Sequence, residues 1–230
     1  MEAIILAGGK AERLGEAAGG LPKALVEVAG KPIAGYQVVQ LAEAGVERVF
    51  VSCAAGQEER FLAALGGIGP EIVPVGEPEP LGRGGGIRHA ATGRRERGEV
   101  FVLNGDELLD LDLNTVLEHQ REGDVAATIT VAQVRSPFGV VELDGDVVRG
   151  FREAPKLEHW VSCGAYVLGE DALGRLPERG DHETTTFPAL AAEGRLRAHR
   201  HEGVWLTVNT PKDLRLANEY LVAHPDWPRG

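Results

Sequence analysis

An α/β fold on a mostly parallel, mixed sheet is the class this sequence predicts, on three observations. Short apolar runs rich in Val and Ile alternate with stretches of helical period through the first hundred residues. Those runs lack the polar alternation of a strand with one wet face, so helices are expected to cover both faces of the sheet. The rhythm changes after residue 124, where apolar runs follow one another across short turns, as in a small antiparallel insertion. At 230 residues and 43% hydrophobic content, one core is enough to bury these elements, and no repeat, linker or low-complexity tract divides the chain. The expectation is a single domain over 1–230.

Taken in order, EAIILA (2–7), VERVFVSC (46–53), EIVPV (71–75) and EVFVLN (99–104) are the buried parallel strands. Between the first two, IAGYQVVQLAEA (33–44) sets Ile33, Tyr36, Val39, Gln40 and Ala44 near one stripe, and Gly45 stops the helix. Shorter helices are expected at 57–65 and 85–93. VAATITVAQV (125–134), GVVEL (139–143) and VVRGFRE (147–153) form the insertion, with LDGDV as a hairpin turn. A strand at 161–168, a helical region near 183–193 and short strands near 196–200 and 203–208 follow. The last helix starts at Pro211, a good first helical residue, with Thr210 as its N-cap.

Charge and composition exclude several functions. A net charge of −11 with no basic run argues against nucleic acid as a partner, since that affinity comes from neutralising phosphates. An anionic small molecule therefore needs a local cluster of cations or a divalent metal. No apolar run approaches the length of a membrane span and the start lacks a signal peptide's basic flank, so a soluble, cytoplasmic protein without a membrane partner is expected. Cys53 and Cys163 lie far apart in apolar runs and read as buried free thiols. Neither subunit number nor homo-oligomer formation is fixed by these features.

The stretch LAGGKAERLGEAAGGLPKALVEVAGKP (6–32) is where the chemistry concentrates. A strand running into glycines exposes backbone N–H groups to an anion, and Arg13 and Lys23 add fixed positive charge. The glycines match neither a Walker A loop, because Lys10 and Lys23 are each followed by Ala, nor GxGxxG, which also fails in GRGGGI (82–87). They do match LAxGxGTRL…PKxLxxVxGKPI, through Leu6, Ala7, Gly9, Arg13, Leu14, Pro22, Lys23, Leu25, Val28, Gly30, Lys31, Pro32 and Ile33. PLGRGGGI (80–87), NGDEL (104–108), FGVVELDGDVVRGFREAP (138–155), VSCGAYVL (161–168), TTTFPAL (184–190) and WLTVNTPKDLRLAN (205–218) continue the match in order. The chain thus resembles the sugar-phosphate nucleotidyltransferases over nearly its whole length, which implies a Rossmann-like three-layer α/β/α fold.

In that family a sugar 1-phosphate attacks the α-phosphorus of a nucleoside triphosphate, giving a nucleotide sugar and pyrophosphate. The attacking phosphate is already ionised near neutral pH, so no Ser-His-Asp or Cys-His constellation is required, and none stands out. The work falls to fixed cations and Mg²⁺, which bring two anions together in line. The resemblance implies Arg13 for the β- and γ-phosphates and Lys23 for the α-phosphate region. It implies Leu6, Ala7, Gly8, Gly9 and Gly82 around the nucleotide, with Glu79 as acceptor for a base or ribose donor, and Gly139, Glu153, Cys163 and Gly164 on the sugar side. Asp106 sits at a strand's carboxyl end, where a carboxylate beside a triphosphate is a Mg²⁺ ligand. Arg83 reads equally as a solvated charge or a phosphate contact.

Three positions depart from the pattern. Ala11-Glu12-Arg13 stands for GTR and puts a carboxylate in the phosphate loop; Ala154 stands for the lysine of EKP, with Lys156 or Arg152 as substitutes; and Thr207 stands for a metal-binding Asp, with Asn209 as the substitute ligand two residues on. Two further readings stay open: a binding module without turnover, and transfer to a molybdopterin-like or phospho-alcohol acceptor.

Overall fold

The computed structural model describes residues 1–9 and 11–228. β1 (Glu2–Leu6) runs into a loop with 3-10 segments at Glu12–Ala18 and Lys23–Leu25. A short ribbon of β2 (Glu27–Val28) and β3 (Lys31–Pro32) then leads into α1 (Ile33–Glu43), which Gly45 ends in a left-handed turn. The predicted alternation follows as β4 (Arg48–Ala54), α2 (Glu58–Leu65), β5 (Glu71–Glu77), α3 (Gly82–Ala91) and β6 (Val100–Asn104). After β7 (Glu107–Leu109) and α4 (Leu113–Arg121) come β8 (Ala127–Arg135), β9 (Val140–Asp144), β10 (Val147–Arg152) and the long β11 (Lys156–Leu168). The chain closes with α5 (Glu170–Gly174), α6 (Thr186–Ala192), β12 (Leu196–Arg200), β13 (Trp205–Thr207) and α7 (Pro211–Ala223).

Seven strands form the main sheet in the order β12-β8-β11-β6-β1-β4-β5. The pairs β1 with β4, β1 with β6, β4 with β5, and β12 with β8 are parallel, whereas β11 runs antiparallel to both its neighbours. This mixed, mostly parallel α/β sheet bears out the predicted class. The antiparallel insertion is smaller than the sequence pattern suggests: β8 joins the main sheet, and only β9 and β10 stand apart as a hairpin. The strand expected at 161–168 begins five residues earlier, at Lys156.

Alternate side chains of each strand serve opposite layers. Ala3, Ile5, Val49, Val51, Phe101 and Leu103 pack under α1, α2 and α4 through Val38, Leu41, Phe61, Leu65 and Val116. Ile4, Phe50, Val100 and Val102 face the other way, onto Ile87 and Ala90 of α3 and onto Phe187 and Leu190 of α6. A third cluster, including Leu14, Val28, Ile33, Leu108, Val208, Ala217 and Leu221, clamps α7 against the loop after β1. That clamp brings the loop after β1 and the last helix to one place. No helix among the described residues is long and apolar enough to cross a membrane.

Candidate functional site

β1 is flanked by β4 on one side and β6 on the other, so the strand order reverses there, and the crevice at the carboxyl ends of such strands is where open α/β sheets bind ligands. A cavity of about 620 Å³ lies at that place. Leu6, Ala7, Gly8 and Gly9 after β1, Glu77 and Glu79 at β5, Gly82 at α3, and Asn104 to Glu107 after β6 line it. Ala7 N–H donates to the Ser52 carbonyl at 2.7 Å, which holds the first loop against β4. Gly105 N–H donates to the Leu6 carbonyl at 2.9 Å, and a Cβ on Gly105 would stand 2.7 Å from that oxygen. The glycine of NGDEL is thus a close-approach residue that lets Asp106 reach across the first loop.

Four of the charged and polar residues picked out by the sequence meet at one edge of this cavity. Lys23 Nζ donates to Asp106 Oδ2 at 2.5 Å and to Asn209 Oδ1 at 2.7 Å, and Arg13 donates to the same Asn209 oxygen at 2.9 Å. They come from three separate segments: Arg13 and Lys23 from the 3-10 turns, Asp106 from the end of β6, and Asn209 from the loop before α7. Strand alternation does not place Asn209, because β13 ends at Thr207. A capping box does so instead. Thr210 Oγ1 accepts from Asp213 N, and Asp213 Oδ2 accepts from Thr210 N at 2.8 Å and from Asn209 N at 3.2 Å.

The Lys23 ammonium is buried, and the oxygens of Asp106 and Asn209 converge on it. Oxygens so gathered on a cation are the donor set a hard divalent ion accepts, and Mg²⁺ takes one or two protein ligands and completes its shell from water and phosphate. Among the described residues no group of three or more His, Cys, Asp or Glu is placed to hold a metal, so Asp106 and Asn209 would supply only part of a divalent ion's shell.

Two further carboxylates line the cavity that the sequence reading leaves without a role. Burial, then the neighbouring Asp106 charge, pushes Glu107 up from 4.5 to about 8, against a hydrogen bond that Trp205 Nε1 donates at 2.7 Å and the attraction of Lys23. Glu77 accepts from Ser52 Oγ at 2.8 Å and from Leu81 N–H at 3.0 Å, and so ties β4, β5 and the start of α3 together. The apolar residues between these polar groups conceal both roles from a motif reading.

Gly82 has φ +77, and a Cβ there would stand 2.7 Å from the Gly180 carbonyl. Gly180 N–H donates to the Leu81 carbonyl at 2.8 Å, and Gly84 N–H to the Gly180 carbonyl at 2.9 Å, so the segment after α5 is strapped onto the start of α3. Arg83 lines the cavity but is not free there: it pairs with Asp181 and, at 2.7 Å, with Glu183. Glu79 pairs with Arg179 on the same strap. Glu12 is exposed and lies outside the cavity wall.

The four residues assigned to the sugar side do not line the cavity. Gly139 packs under the Phe151 ring, and Glu153 is exposed at the foot of the β9–β10 hairpin. Cys163 and Gly164 form no turn; they sit within β11 where its register against β8 shifts. The Cys163 thiol is buried, donates to the Thr130 carbonyl at 3.2 Å, and is pushed up to about 12 by burial. Gly164, at φ +79, lies against the Asn104 side chain. A second cavity of about 490 Å³ opens beyond Trp205, lined by Gln133, Arg135, Lys156, His201, Glu202 and Thr207 among others.

The profile of the nucleotidyl transferase family matches residues 2–223. The chain is 34% identical over 227 residues to the mannose-1-phosphate guanylyltransferase catalytic subunit beta of Danio rerio, covering 93% of this chain and 62% of that protein. It is 31% identical over 243 residues to the mannose-1-phosphate guanyltransferase beta-A of Xenopus laevis, covering 99% of this chain and 68% of that protein. The chain therefore spans about two thirds of the length of these curated relatives. Among solved structures, HddC from Yersinia pseudotuberculosis superposes with a TM-score of 0.75 at 25% identity, over 96% of this chain and 99% of that one.

Proposed function

The chain belongs to the nucleotidyl transferase family, and from that premise we propose that it transfers a nucleoside monophosphate, GMP as the first choice, from the triphosphate to a sugar 1-phosphate of the mannose 1-phosphate type. The observation that carries the reading is the meeting of Arg13, Lys23, Asp106 and Asn209 at the edge of the cavity after β1 and β6. An oxygen of the acceptor phosphate forms a bond to the α-phosphorus, the bond from that phosphorus to the β-phosphate oxygen breaks, and pyrophosphate leaves with the electron pair. No side chain takes a proton, because the nucleophile arrives ionised.

The chain's part is to gather charge. Lys23 is buried at the carboxyl end of β6 and offers its ammonium to the α-phosphate, while the exposed Arg13 guanidinium, one nitrogen of which donates to Asn209, has further donors for the outer phosphates. The backbone from Ala7 to Gly9 approaches the phosphates without side-chain obstruction. Asp106 and Asn209 are the residues that would hold Mg²⁺, which supplies further neutralisation of the triphosphate when bound.

The test is pyrophosphate release by the full chain with Mg²⁺, each common nucleoside triphosphate and a panel of sugar 1-phosphates. Release that depends on both substrates is expected, highest with GTP. A second reading, binding without turnover, rests on Ala154 and Thr207 standing where the resemblance expects a lysine and an aspartate. Measurable GTP binding with no release across the panel would establish that reading and end the first.

A further inference from the structure

Six of the ten large apolar side chains that stand exposed among the described residues lie on one hairpin: Phe138, Val141, Leu143, Val147, Val148 and Phe151. None of them joins any of the three core clusters, and β9 and β10 pair with each other and with no strand of the main sheet. The register divides this ribbon into two faces. Val148 is the cross-strand partner of Leu143, and Phe151 that of Val141, so these four side chains share one face. On the opposite face Glu142 pairs with Arg152 at 3.3 Å and Asp144 with Arg149 at 3.1 Å. Phe138 adds its ring at the foot of the hairpin, next to the Gly139 that the Phe151 ring covers.

A lone two-stranded ribbon is marginal in water unless its apolar face finds cover. Phe138 is 75% and Phe151 66% exposed, and with Val141, Leu143 and Val148 they leave on the order of 500 Å² of apolar surface open, toward the upper end of what a monomer shows. Two such faces together amount to about 1,000 Å², the lower limit for a specific contact between proteins. Charge then points to the partner. The chain carries −11 overall, which opposes association of like copies over most of its surface. Residues 135–156 are neutral, because Arg135, Arg149, Arg152 and Lys156 balance Glu142, Asp144, Asp146 and Glu153. About a two-fold axis the acids of one copy can meet the bases of the other, whereas a partner of a single sign of charge gains nothing from so mixed a segment. We infer that this apolar face docks on the same face of a second copy, two ribbons packing face to face across a two-fold axis. The contact is apolar at its centre and mixed in charge at its rim. It is independent of the transfer reading, since none of the hairpin residues lines the first cavity.

Sedimentation equilibrium of the full chain over a series of concentrations tests this docking. Half of the chain should be dimeric at about 10–100 µM, the affinity that a contact at the lower limit of size supports. The double variant Leu143→Ser/Val148→Ser removes apolar area from the centre of the face without altering charge, and should weaken dimerisation by about tenfold or more. Leu62→Ser/Val222→Ser takes two exposed apolar side chains from α2 and α7 instead, and should leave the dimer within about twofold of the wild type. Should the hairpin double variant fail to fold, Phe138→Ser is read in its place, with a loss of about threefold expected. A wild type that stays monomeric up to about 500 µM overturns the proposal. A dimer that the hairpin variants leave intact overturns it as well, because the interface then lies on another surface. Cosedimentation of a monomeric chain with phosphatidylcholine vesicles, lost in the hairpin variants, assigns the face to lipid and rejects the second copy.

Discussion

Replacing His182 with Phe isolates one buried titratable group that the chemistry does not use. His182 is fully buried, stacked edge-on against Tyr166 at 5.3 Å and Phe187 at 4.7 Å, and neither ring nitrogen has a hydrogen-bond partner among the described residues. Burial lowers its pKa from 6.5 to about 4, against the attraction of Glu183 and Asp181 and with some help from Arg83. The folded protein therefore keeps this ring neutral at a pH where the unfolded chain already protonates it. Its contribution is fully present above pH 6.5 and is lost as pH falls from 6.5 through 4, an interval worth about 3 kcal/mol. Phe keeps an aromatic ring in the cluster but is larger than imidazole, so packing strain opposes the gain from removing two unpartnered nitrogens; both effects are independent of pH. The assay is urea unfolding of both proteins, followed by tryptophan fluorescence, at pH 8, 6.5, 5 and 4.5. Relative to the wild type, the variant should gain about 2–3 kcal/mol between pH 8 and pH 4.5. Subtracting the two curves cancels the titrating groups that His182 does not touch, leaving its own protonation and the smaller response of Asp181. A stability difference that stays constant across this range refutes the argument, because it would mean that His182 does not protonate differently in the two states.

Other expectations follow from single contacts. Asp106→Asn and Lys23→Ala should each lower the rate of pyrophosphate release by about tenfold or more, the cost of one lost metal or phosphate contact; an unchanged rate removes that residue from the site. Glu12→Thr should shift the KM for GTP by less than about threefold, since an exposed carboxylate outside the cavity wall is screened by water and salt. Gly82→Ala should destabilise the fold by about 2–4 kcal/mol in urea and weaken GTP binding, because φ +77 is costly for Ala and its Cβ would meet the Gly180 carbonyl at 2.7 Å. Cys53 and Cys163, both buried and pushed up to about 12, should resist a thiol reagent at pH 8 in the native protein and react fully in urea.

What the sequence discloses is set by how local the cause is. β1, β4 and β6 are readable because each is a continuous apolar run buried on both faces, so pattern and environment coincide. By the same criterion α4 was within reach: Asp112 caps it by accepting from Asn114 N–H at 2.9 Å, and Leu113, Val116 and Leu117 fall on one stripe. The meeting of Arg13, Lys23, Asp106 and Asn209 is of a different kind, because motif order names the residues but only the clamp of α7 on the first loop brings them together. Least readable are the contacts whose partners lie far apart in the chain. Arg83 meets Asp181 across 98 residues, and no periodicity reports it. The same holds for Lys156 and Arg135, whose pairing depends on the register of β11 against β8, and that register shifts twice between Lys156 and Tyr166. A register shift of one residue would send Lys156 to the opposite face of the sheet and separate it from the cavity.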